Sequence, residues 1–236
     1  MFYRRIGYEY LMHTEGIIKF HADHLKQALP NRQYQDLACK LVAWREVLTK
    51  TQLVGQDPQR YGGAGFGNVS GRVGPPSAAR GQRSFLITGT QTGGTACITL
   101  DHFALVQKYD YQQNSLQSVG LIQPSSEALT HGAIYDLSPS IRFTIHAHSP
   151  TIWKRARQLQ IPTSAESVEY GTAKMAFEVQ RLHKTTSLSE VQIMAMGGHE
   201  DGIVVFGRNA EEAGRIMIKY LAHAYELDCL GGICVA

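Results

Sequence analysis

The chain has 236 residues, 43% of them hydrophobic and 18% charged, and a formal net charge of +3, which is ordinary for a globular protein with a sizeable core. Lysine and arginine form no cluster, no stretch approaches the roughly 20 apolar residues of a membrane span, and the four cysteines lack the density of a disulfide scaffold. The sequence therefore argues against nucleic-acid binding, membrane insertion and a disulfide framework, and because no apolar signal segment follows Met1–Arg5, we expect a cytoplasmic protein.

The first half of the chain predicts two helices, a glycine-rich passage and three strands. Residues 15–29 are expected to be helical up to Pro30, and residues 33–50 form a clearer helix because their apolar side chains follow one stripe. Residues 61–67 are rich in glycine and lead into Asn68-Val-Ser-Gly-Arg72. The predicted strands are apolar runs between turn residues: 84–88, 103–111 and 116–120, the last two forming a hairpin.

The second half alternates helices with strands. The predicted helices are 124–137, 149–159, 172–183 and 209–227, and the predicted strands are 141–148, 191–196 and 203–206. Because the order follows no strict βαβ repeat, it predicts one α/β domain with a mixed or largely antiparallel sheet under helices. We assign this domain to residues 32–236, preceded by an N-terminal extension, residues 1–31.

The run 141–148 contains a candidate metal site. Its side chains alternate between apolar and polar, which is typical of a half-buried strand and puts His146 and His148 on one face. Two imidazoles at this spacing can reach one metal ion. The alternative is a pair of surface histidines.

A second histidine motif lies near the C-terminal end of the domain. His199 stands between glycines at the predicted end of a strand and can supply a third imidazole that leaves a position open for substrate. Asp201 is a rival ligand, and a polar hairpin turn is the alternative. We place His131 either on the surface of its helix or behind the ligands.

Two further motifs carry polar groups suited to an anionic ligand. The passage 62–71 lacks a nucleotide-binding pattern but offers backbone N–H groups with the side chains of Asn68 and Ser70; the alternative is a flexible loop. Pro124-Ser-Ser-Glu127 opens a predicted helix whose N-terminus attracts anions, and Glu127 is placed to act as a general base. An ordinary helix start explains the same residues.

These motifs occur together in one order, which is more specific than any of them alone. The order is Gly67-Asn-Val-Ser-Gly-Arg72, Phe85-Leu-Ile-Thr88, Pro124-Ser-Ser-Glu127, Thr144-Ile-His-Ala-His-Ser-Pro150, and Gly198-His199 followed by Gly202-Ile-Val-Val-Phe-Gly207. The series resembles the class II aldolase/adducin family over roughly residues 35–228. The resemblance implies a three-layer α/β/α sandwich around a mostly antiparallel mixed sheet, and a homotetramer with active sites between neighbouring subunits.

The resemblance also implies an activity: a divalent-metal-dependent lyase that cleaves or forms a C–C bond in a phosphorylated or anionic, sugar-like hydroxy-carbonyl substrate through a metal-stabilised enediolate. An epimerase, dehydratase or decarboxylase with the same site, and a non-catalytic adducin-like assembly module, stay open as alternatives. By position, the resemblance assigns one divalent metal ion, usually Zn²⁺, to His146, His148 and His199. It assigns acid/base roles to Glu127 and Tyr170. It assigns phosphate binding to Asn68, Ser125, Ser126 and the loop Thr88–Gly93, in which we choose Thr90.

Three departures from the family pattern indicate a divergent branch with its own substrate. The anion loop, Ile87-Thr-Gly-Thr-Gln-Thr-Gly93, is longer than the usual one. Alignment of the glycines after the third ligand puts Asp201 where the histidine should be, whereas alignment of His199 needs two extra residues. Tyr170 directly precedes Gly171-Thr172, whereas the family's tyrosine lies a few residues before such a pair.

Overall fold

A large sheet with helices on both faces forms the body of the protein. A computed structural model describes residues 15–230, and the elements below are those of this range. The strands are β1 His21–Lys26, β2 Gly55–Gln56, β3 Gly65–Phe66, β4 Asn68–Arg72, β5 Phe85–Thr88, β6 Phe103–Asp110, β7 Ser115–Gly120, β8 Phe143–His148, β9 Ile193–Ala195 and β10 Gly202–Gly207. The α-helices are α1 Asn31–Lys50, α2 Ala128–Tyr135, α3 Pro150–Arg155, α4 Ala173–Thr185, α5 Leu188–Val191 and α6 Ala210–Leu230.

Eight strands form the main sheet in the order β1-β7-β6-β5-β4-β8-β10-β9, and β2 pairs with β3 in a separate ribbon. The edge strand β1 runs parallel to β7, and the other neighbours in the main sheet are antiparallel. Strand β8 lies inside the sheet between β4 and β10, where Asn68 and Val204 both pair with His146. Strand β8, which carries His146 and His148, is therefore hydrogen-bonded to a neighbouring strand along both edges.

Alternate residues of the sheet contribute to two separate hydrophobic cores. Val205 belongs to the core that includes Leu41 and Leu48 of α1 and Met217 of α6. Its neighbour Val204 belongs to the core formed with α2 and α4 on the opposite face. The predicted fold class, three layers with a mostly antiparallel mixed sheet in the middle, is confirmed. No helix within residues 15–230 combines the length and apolar character that crossing a bilayer requires.

The structure corrects the helix predicted over residues 15–29. Residues 21–26 form β1 instead, and their partners on β7 run from Ser115 to Gly120. The described part of the predicted N-terminal extension thus joins the same sheet as the domain. Residues 1–14 of that extension and residues 231–236 at the end of the predicted domain lie outside the described residues.

Two boundaries near the site also differ from prediction. The helix expected from residue 124 begins at Ala128, because Pro124 is bridged to Gly89 and the Ser125 amide donates to the Thr88 carbonyl at 3.2 Å. The helix expected over 149–159 ends at Arg155. The other predicted helices and strands are confirmed to within a few residues.

Candidate metal centre and active site

His146 and His148 project from the middle of the sheet toward the α2 layer. Their neighbours Ile145 and Ala147 belong to the core on the α1 side, so the two imidazoles point the other way. All six residues of β8 are buried, and the exposed fraction is 0% for His146 and 1% for His148. The alternative of two surface histidines is therefore wrong.

His199 reaches the same point from the loop between β9 and β10. Its backbone amide donates to the Met196 carbonyl at 3.2 Å, and its own carbonyl accepts from the Gly202 amide at 3.0 Å, which fixes a tight turn. One potential ligand atom from each of the three histidines lies within 4.8 Å of the others. The ring centroids are 4.9 Å apart for His146 and His148, and 5.2 and 4.7 Å from His199.

The chemistry of this donor set fits a divalent metal ion. Nε2 of His146 and both ring nitrogens of His148 are buried without a hydrogen-bond partner among the described residues. Burial lowers the pKa of His146 to about 3 and that of His148 well below its ordinary value, with a further contribution from the neighbouring imidazoles for His148. Both rings are therefore neutral and able to offer lone pairs, and a divalent metal ion would satisfy these buried nitrogens.

Asp201, the rival ligand, has other partners. Its Oδ2 accepts a hydrogen bond from the Tyr61 hydroxyl at 2.7 Å and lies 3.8 Å from a guanidinium nitrogen of Arg60. The Tyr61 ring packs edge-on against His148 with centroids 4.6 Å apart. Asp201 thus supports a neighbour of the ligands, and the structure brings His199 to His146 and His148 instead. Neither Tyr61 nor Arg60 was predicted from the sequence, since they lie in or next to the glycine-rich passage, which has no metal-binding pattern.

Glu127 is fully buried at the N-terminal end of α2. Neither of its carboxylate oxygens has a hydrogen-bond partner among the described residues. Burial raises its pKa to about 7, against the smaller lowering effects of Thr130 and Lys19. A carboxyl group that titrates near neutral pH can take up and release a proton under working conditions, which suits the predicted acid/base role.

Tyr170 lies against the third histidine. Its ring centroid is 4.4 Å from that of His199, and its hydroxyl oxygen accepts a hydrogen bond from the Ile17 amide at 3.3 Å. Burial and then Glu15 raise its pKa to about 12, so the hydroxyl is protonated at neutral pH. The next residue, Gly171, has a φ of 65°, and an added Cβ would lie 2.6 Å from the Ser126 carbonyl oxygen. This close approach holds Tyr170 beside the turn that carries Glu127.

Asn68 and Ser70 lie on β4, which runs beside the histidine strand. Asn68 Nδ2 is 3.2 Å from Nδ1 of His146, so the amide contacts a ligand from behind. Ser70 is fully buried, and its hydroxyl is 2.6 Å from both Nδ1 of His131 and the hydroxyl of Tyr135. His131 is itself fully buried, so its surface alternative is wrong. These contacts engage the Ser70 hydroxyl within the protein, and its role in substrate binding stays a prediction.

The serines before α2 and the loop Thr88–Gly93, both predicted to bind anions, lie side by side, since the Ser125 amide donates to the Thr88 carbonyl at 3.2 Å. Ser125 and Ser126 form the turn before α2, with exposed fractions of 5% and 3%. Thr88 Oγ1 accepts from the Val69 amide at 3.1 Å, so this hydroxyl supports β4. Thr90 Oγ1 donates to the Gly16 carbonyl at 3.1 Å. The loop Thr88–Gly93 therefore contacts the chain's own N-terminal segment.

Glu15, which sequence reasoning missed, lies beside two of the three imidazoles. Its Oε2 is 3.4 Å from Nε2 of His199 and 3.8 Å from Nε2 of His148. Burial raises its pKa to about 8, and the charge of Glu127 adds to this increase. No local pattern distinguishes Glu15 in the sequence, because the contact depends on how the distant N-terminal segment folds back.

Comparisons with known proteins agree with this architecture. The family model described as Class II Aldolase and Adducin N-terminal domain matches residues 57–227, well over half of the chain. A search of the curated proteins finds no match. One similar solved structure is an L-fuculose 1-phosphate aldolase, with a TM-score of 0.59 and 18% identity, covering 87% of this chain and 88% of that one. The L-fuculose-1-phosphate aldolase of Thermus thermophilus has a TM-score of 0.58 and 19% identity, covering 86% of this chain and 99% of that one. YgbL of Escherichia coli, described as an aldolase, epimerase or decarboxylase, has a TM-score of 0.60 and 17% identity, covering 86% of this chain and 93% of that one.

At these identities the structural likeness establishes the shared fold, and the family match covers the segment that carries the three histidines and Glu127. The chain therefore belongs to the class II aldolase and adducin family.

Proposed function

We propose that the protein is a divalent-metal-dependent lyase that forms or cleaves a carbon–carbon bond in an anionic, sugar-like hydroxy-carbonyl compound. The observation that carries this proposal is the convergence of three buried imidazoles beside Glu15, whose pKa is raised by burial and also by the charge of the fully buried Glu127. The same observation argues against a non-catalytic assembly module, which has no use for such a ligand set.

A metal ion held by His146, His148 and His199 would act as a Lewis acid and stabilise negative charge as it develops on substrate oxygens. Zinc suits this donor set, because three histidines and one open position are typical of catalytic zinc sites.

Glu127 and Tyr170 supply the two proton transfers. In the direction of bond formation, the Glu127 carboxylate removes a proton from the carbon next to the substrate carbonyl. That carbon then attacks the aldehyde carbon of the second substrate, and Tyr170 gives its proton to the aldehyde oxygen, which becomes a hydroxyl. Glu127 then releases its proton to solvent and the Tyr170 phenolate takes one up, so both groups return to their starting state. The pKa of Glu127, about 7, allows this release, and the pKa of Tyr170, about 12, keeps the donor protonated between turnovers.

Ser125, Ser126 and the loop Thr88–Gly93 are our candidates for the anionic end of the substrate, with Asn68 as a further candidate. The two serines lie at the N-terminal end of α2, where backbone N–H groups and the helix dipole favour negative charge. Because Thr90 donates to Gly16, a phosphate group would have to replace this contact.

An epimerase or decarboxylase is the second candidate, since the structurally similar YgbL is described as an aldolase, epimerase or decarboxylase. Both reactions also pass through anionic intermediates, whose negative charge a metal ion held by the three histidines would stabilise. Product analysis by NMR separates the three reactions, because aldol cleavage of a sugar phosphate releases two carbonyl fragments, decarboxylation releases CO₂, and epimerisation releases no fragment. We further propose a homotetramer with active sites between subunits, which sedimentation analysis would test.

The decisive experiment measures metal content and turnover together. Protein purified without chelators should carry about one divalent ion per chain, and a panel of sugar phosphates and hydroxy acids should reveal a substrate. Glu127→Gln should retain the metal and lose turnover, whereas Glu200→Gln, which changes an exposed carboxylate next to His199, should behave as the wild type. Wild-type protein that binds no added Zn²⁺, Co²⁺ or Mn²⁺ would overturn the proposal.

A further inference from the structure

The segment Glu15–Lys19, which we call the strap, is fastened beside the metal centre from several sides. The Gln91 side chain donates to the Glu15 carbonyl at 3.2 Å, Thr90 donates to the Gly16 carbonyl at 3.1 Å, and the Ile17 amide donates to the Tyr170 hydroxyl at 3.3 Å. Gly16 has a φ of 78°, and a Cβ there would lie 1.8 Å from Gln91 Nε2. The strap is thus held close to the loop that the family resemblance associates with anions.

The last residue of the strap fastens its other end. Lys19 Nζ is 3.1 Å from Glu169 Oε2 and lies 3.8 Å from the centroid of the Tyr170 ring. Its backbone carbonyl accepts from the Asn114 side chain at 2.8 Å. These contacts come from parts of the chain far apart in sequence, so the strap has a defined position.

The Glu15 carboxylate lies at the spacing of a metal ligand from two of the three imidazoles, those of His148 and His199. In a tetrahedral site with bonds of about 2.0–2.1 Å, neighbouring ligand atoms are separated by about 3.4 Å. Glu15 Oε2 is 3.4 Å from Nε2 of His199 and 3.8 Å from Nε2 of His148. Its side chain is only 8% exposed, so water does not explain the inward orientation of this acid.

We infer that Glu15 supplies the fourth ligand of the metal centre and that the strap thereby closes the coordination position that substrate needs. The inference rests on the proposed metal site. The two buried acids then have different roles: Glu15 is the fourth metal ligand when no substrate is bound, and Glu127 transfers protons. A substrate must displace Glu15 before its own oxygens can bind, so the strap competes with substrate for one position.

Metal binding without any substrate tests this assignment. Metal-free wild type, Glu15→Gln, Glu15→Ala and the exposed control Glu200→Gln would be titrated with Zn²⁺ against a chromophoric chelator, and with Co²⁺, whose visible absorption reports ligand number and type. We expect both Glu15 variants to bind Zn²⁺ at least about tenfold more weakly and to show altered cobalt bands. The control should match the wild type.

Competition by a small hydroxy acid supplies the second measurement. Glycolate added to the cobalt-loaded proteins should bind at least about tenfold more tightly to Glu15→Ala than to wild type, since the competing carboxylate is gone. Unchanged zinc affinity and cobalt bands in both Glu15 variants, with glycolate binding equal to wild type, would overturn the inference and leave the proposed function intact. Wild type that binds neither ion would overturn both.

Discussion

Burial decides the charge of the ionisable side chains around the three histidines. His146 and His148 are held neutral, and the carboxyl groups of Glu15 and Glu127 have pKa values raised to about 8 and about 7. Two acids that resist ionisation beside neutral imidazoles form a site that is unfavourable for isolated charges. A divalent cation reverses this preference by favouring both carboxylates.

The raised pKa of Glu127 predicts a pH-dependent effect on the metal-free protein. The folded state favours the protonated acid, so its ionisation destabilises the fold progressively as pH rises from the ordinary value of 4.5 to about 7. Glu127→Gln removes this effect. The variant should match wild type at about pH 4.5 and be more stable by up to about 3 kcal/mol above pH 7. Urea unfolding of both proteins across this range measures the difference.

The control for this experiment is Glu200→Gln, because Glu200 is exposed. Its stability relative to wild type should not change with pH in the same window. A difference between Glu127→Gln and wild type that stays constant from acid to neutral pH would contradict the ionisation argument and point to packing.

Asn68 is expected to orient a metal ligand. Its Oδ1 is buried without a hydrogen-bond partner among the described residues, and a half-turn of the amide would let Oδ1 accept from Nδ1–H of His146. That tautomer leaves the Nε2 lone pair for the metal. We predict that Asn68→Leu lowers zinc affinity by about 10- to 100-fold, whereas Asn68→Asp, which keeps an acceptor, stays within a few-fold of wild type.

The same pair of variants distinguishes the two roles considered for Asn68. If Asn68 serves only as a phosphate ligand, Asn68→Leu will weaken the binding of a phosphorylated substrate and leave zinc affinity unchanged. Chelator competition and substrate titration on the same preparations separate these outcomes.

At the scale of single residues, the three histidines of the candidate metal site could be predicted from the sequence because each has a local pattern. His146 and His148 follow from strand alternation, and His199 follows from its setting among glycines. Glu15 could not be found in this way, since its position depends on contacts with Thr90, Gln91 and Tyr170. The partners of Ser70 likewise come from α2, some 60 residues away in sequence.

Among the elements, the packing of α6 on α1 depends on a glycine. A Cβ at Gly214 would lie 2.1 Å from the Trp44 ring, too close for an unchanged structure. Alanine gains about 1 kcal/mol in helix propensity, but overpacking usually costs about 1–3 kcal/mol. We therefore predict that Gly214→Ala lowers the free energy of unfolding by about 1 kcal/mol, measured by chemical denaturation.

The matched control is the reverse substitution, alanine to glycine, at an exposed position of the same helix. Ala222 is exposed on α6, so Ala222→Gly should lose about 1 kcal/mol through helix propensity alone. A stabilised Gly214→Ala protein would show that Trp44 moves aside at no cost.

Elements with a clear apolar face were predictable, and elements without one were not. Helix α1 was predicted from its stripe, whereas β1, His-Ala-Asp-His-Leu-Lys, has no apolar alternation because it is a largely exposed edge strand. Strand β4 is buried throughout although Asn68, Ser70 and Arg72 are polar, since their partners come from other elements. Both β1 and β4 form strands because of tertiary contacts, and a local sequence pattern does not contain such contacts.

For the whole molecule, metal binding should stabilise the fold. An ion that binds only the folded state raises stability by about 2.7 kcal/mol at a free concentration 100 times its dissociation constant. We predict that Zn²⁺ raises the thermal midpoint of chelator-treated wild type and has no such effect on His146→Ala. Thermal unfolding with and without Zn²⁺ checks this.

His21→Ala is the corresponding control, because His21 is exposed on β1. It should keep the full response to Zn²⁺. An equal response in His146→Ala would show that the ion acts elsewhere on the protein.

The parallel pairing of β1 with β7 also sets the distance between Glu15 and the three imidazoles. Phe20, buried at 7% exposure, joins the strap directly to β1, where His21 lies opposite Ser115. A shift of this edge strand by two residues would carry the attached acid by about 7 Å, which is farther than any metal bond can follow. If Glu15 is a ligand as proposed, substitutions along this edge of the sheet should change metal affinity although they touch none of the three imidazoles.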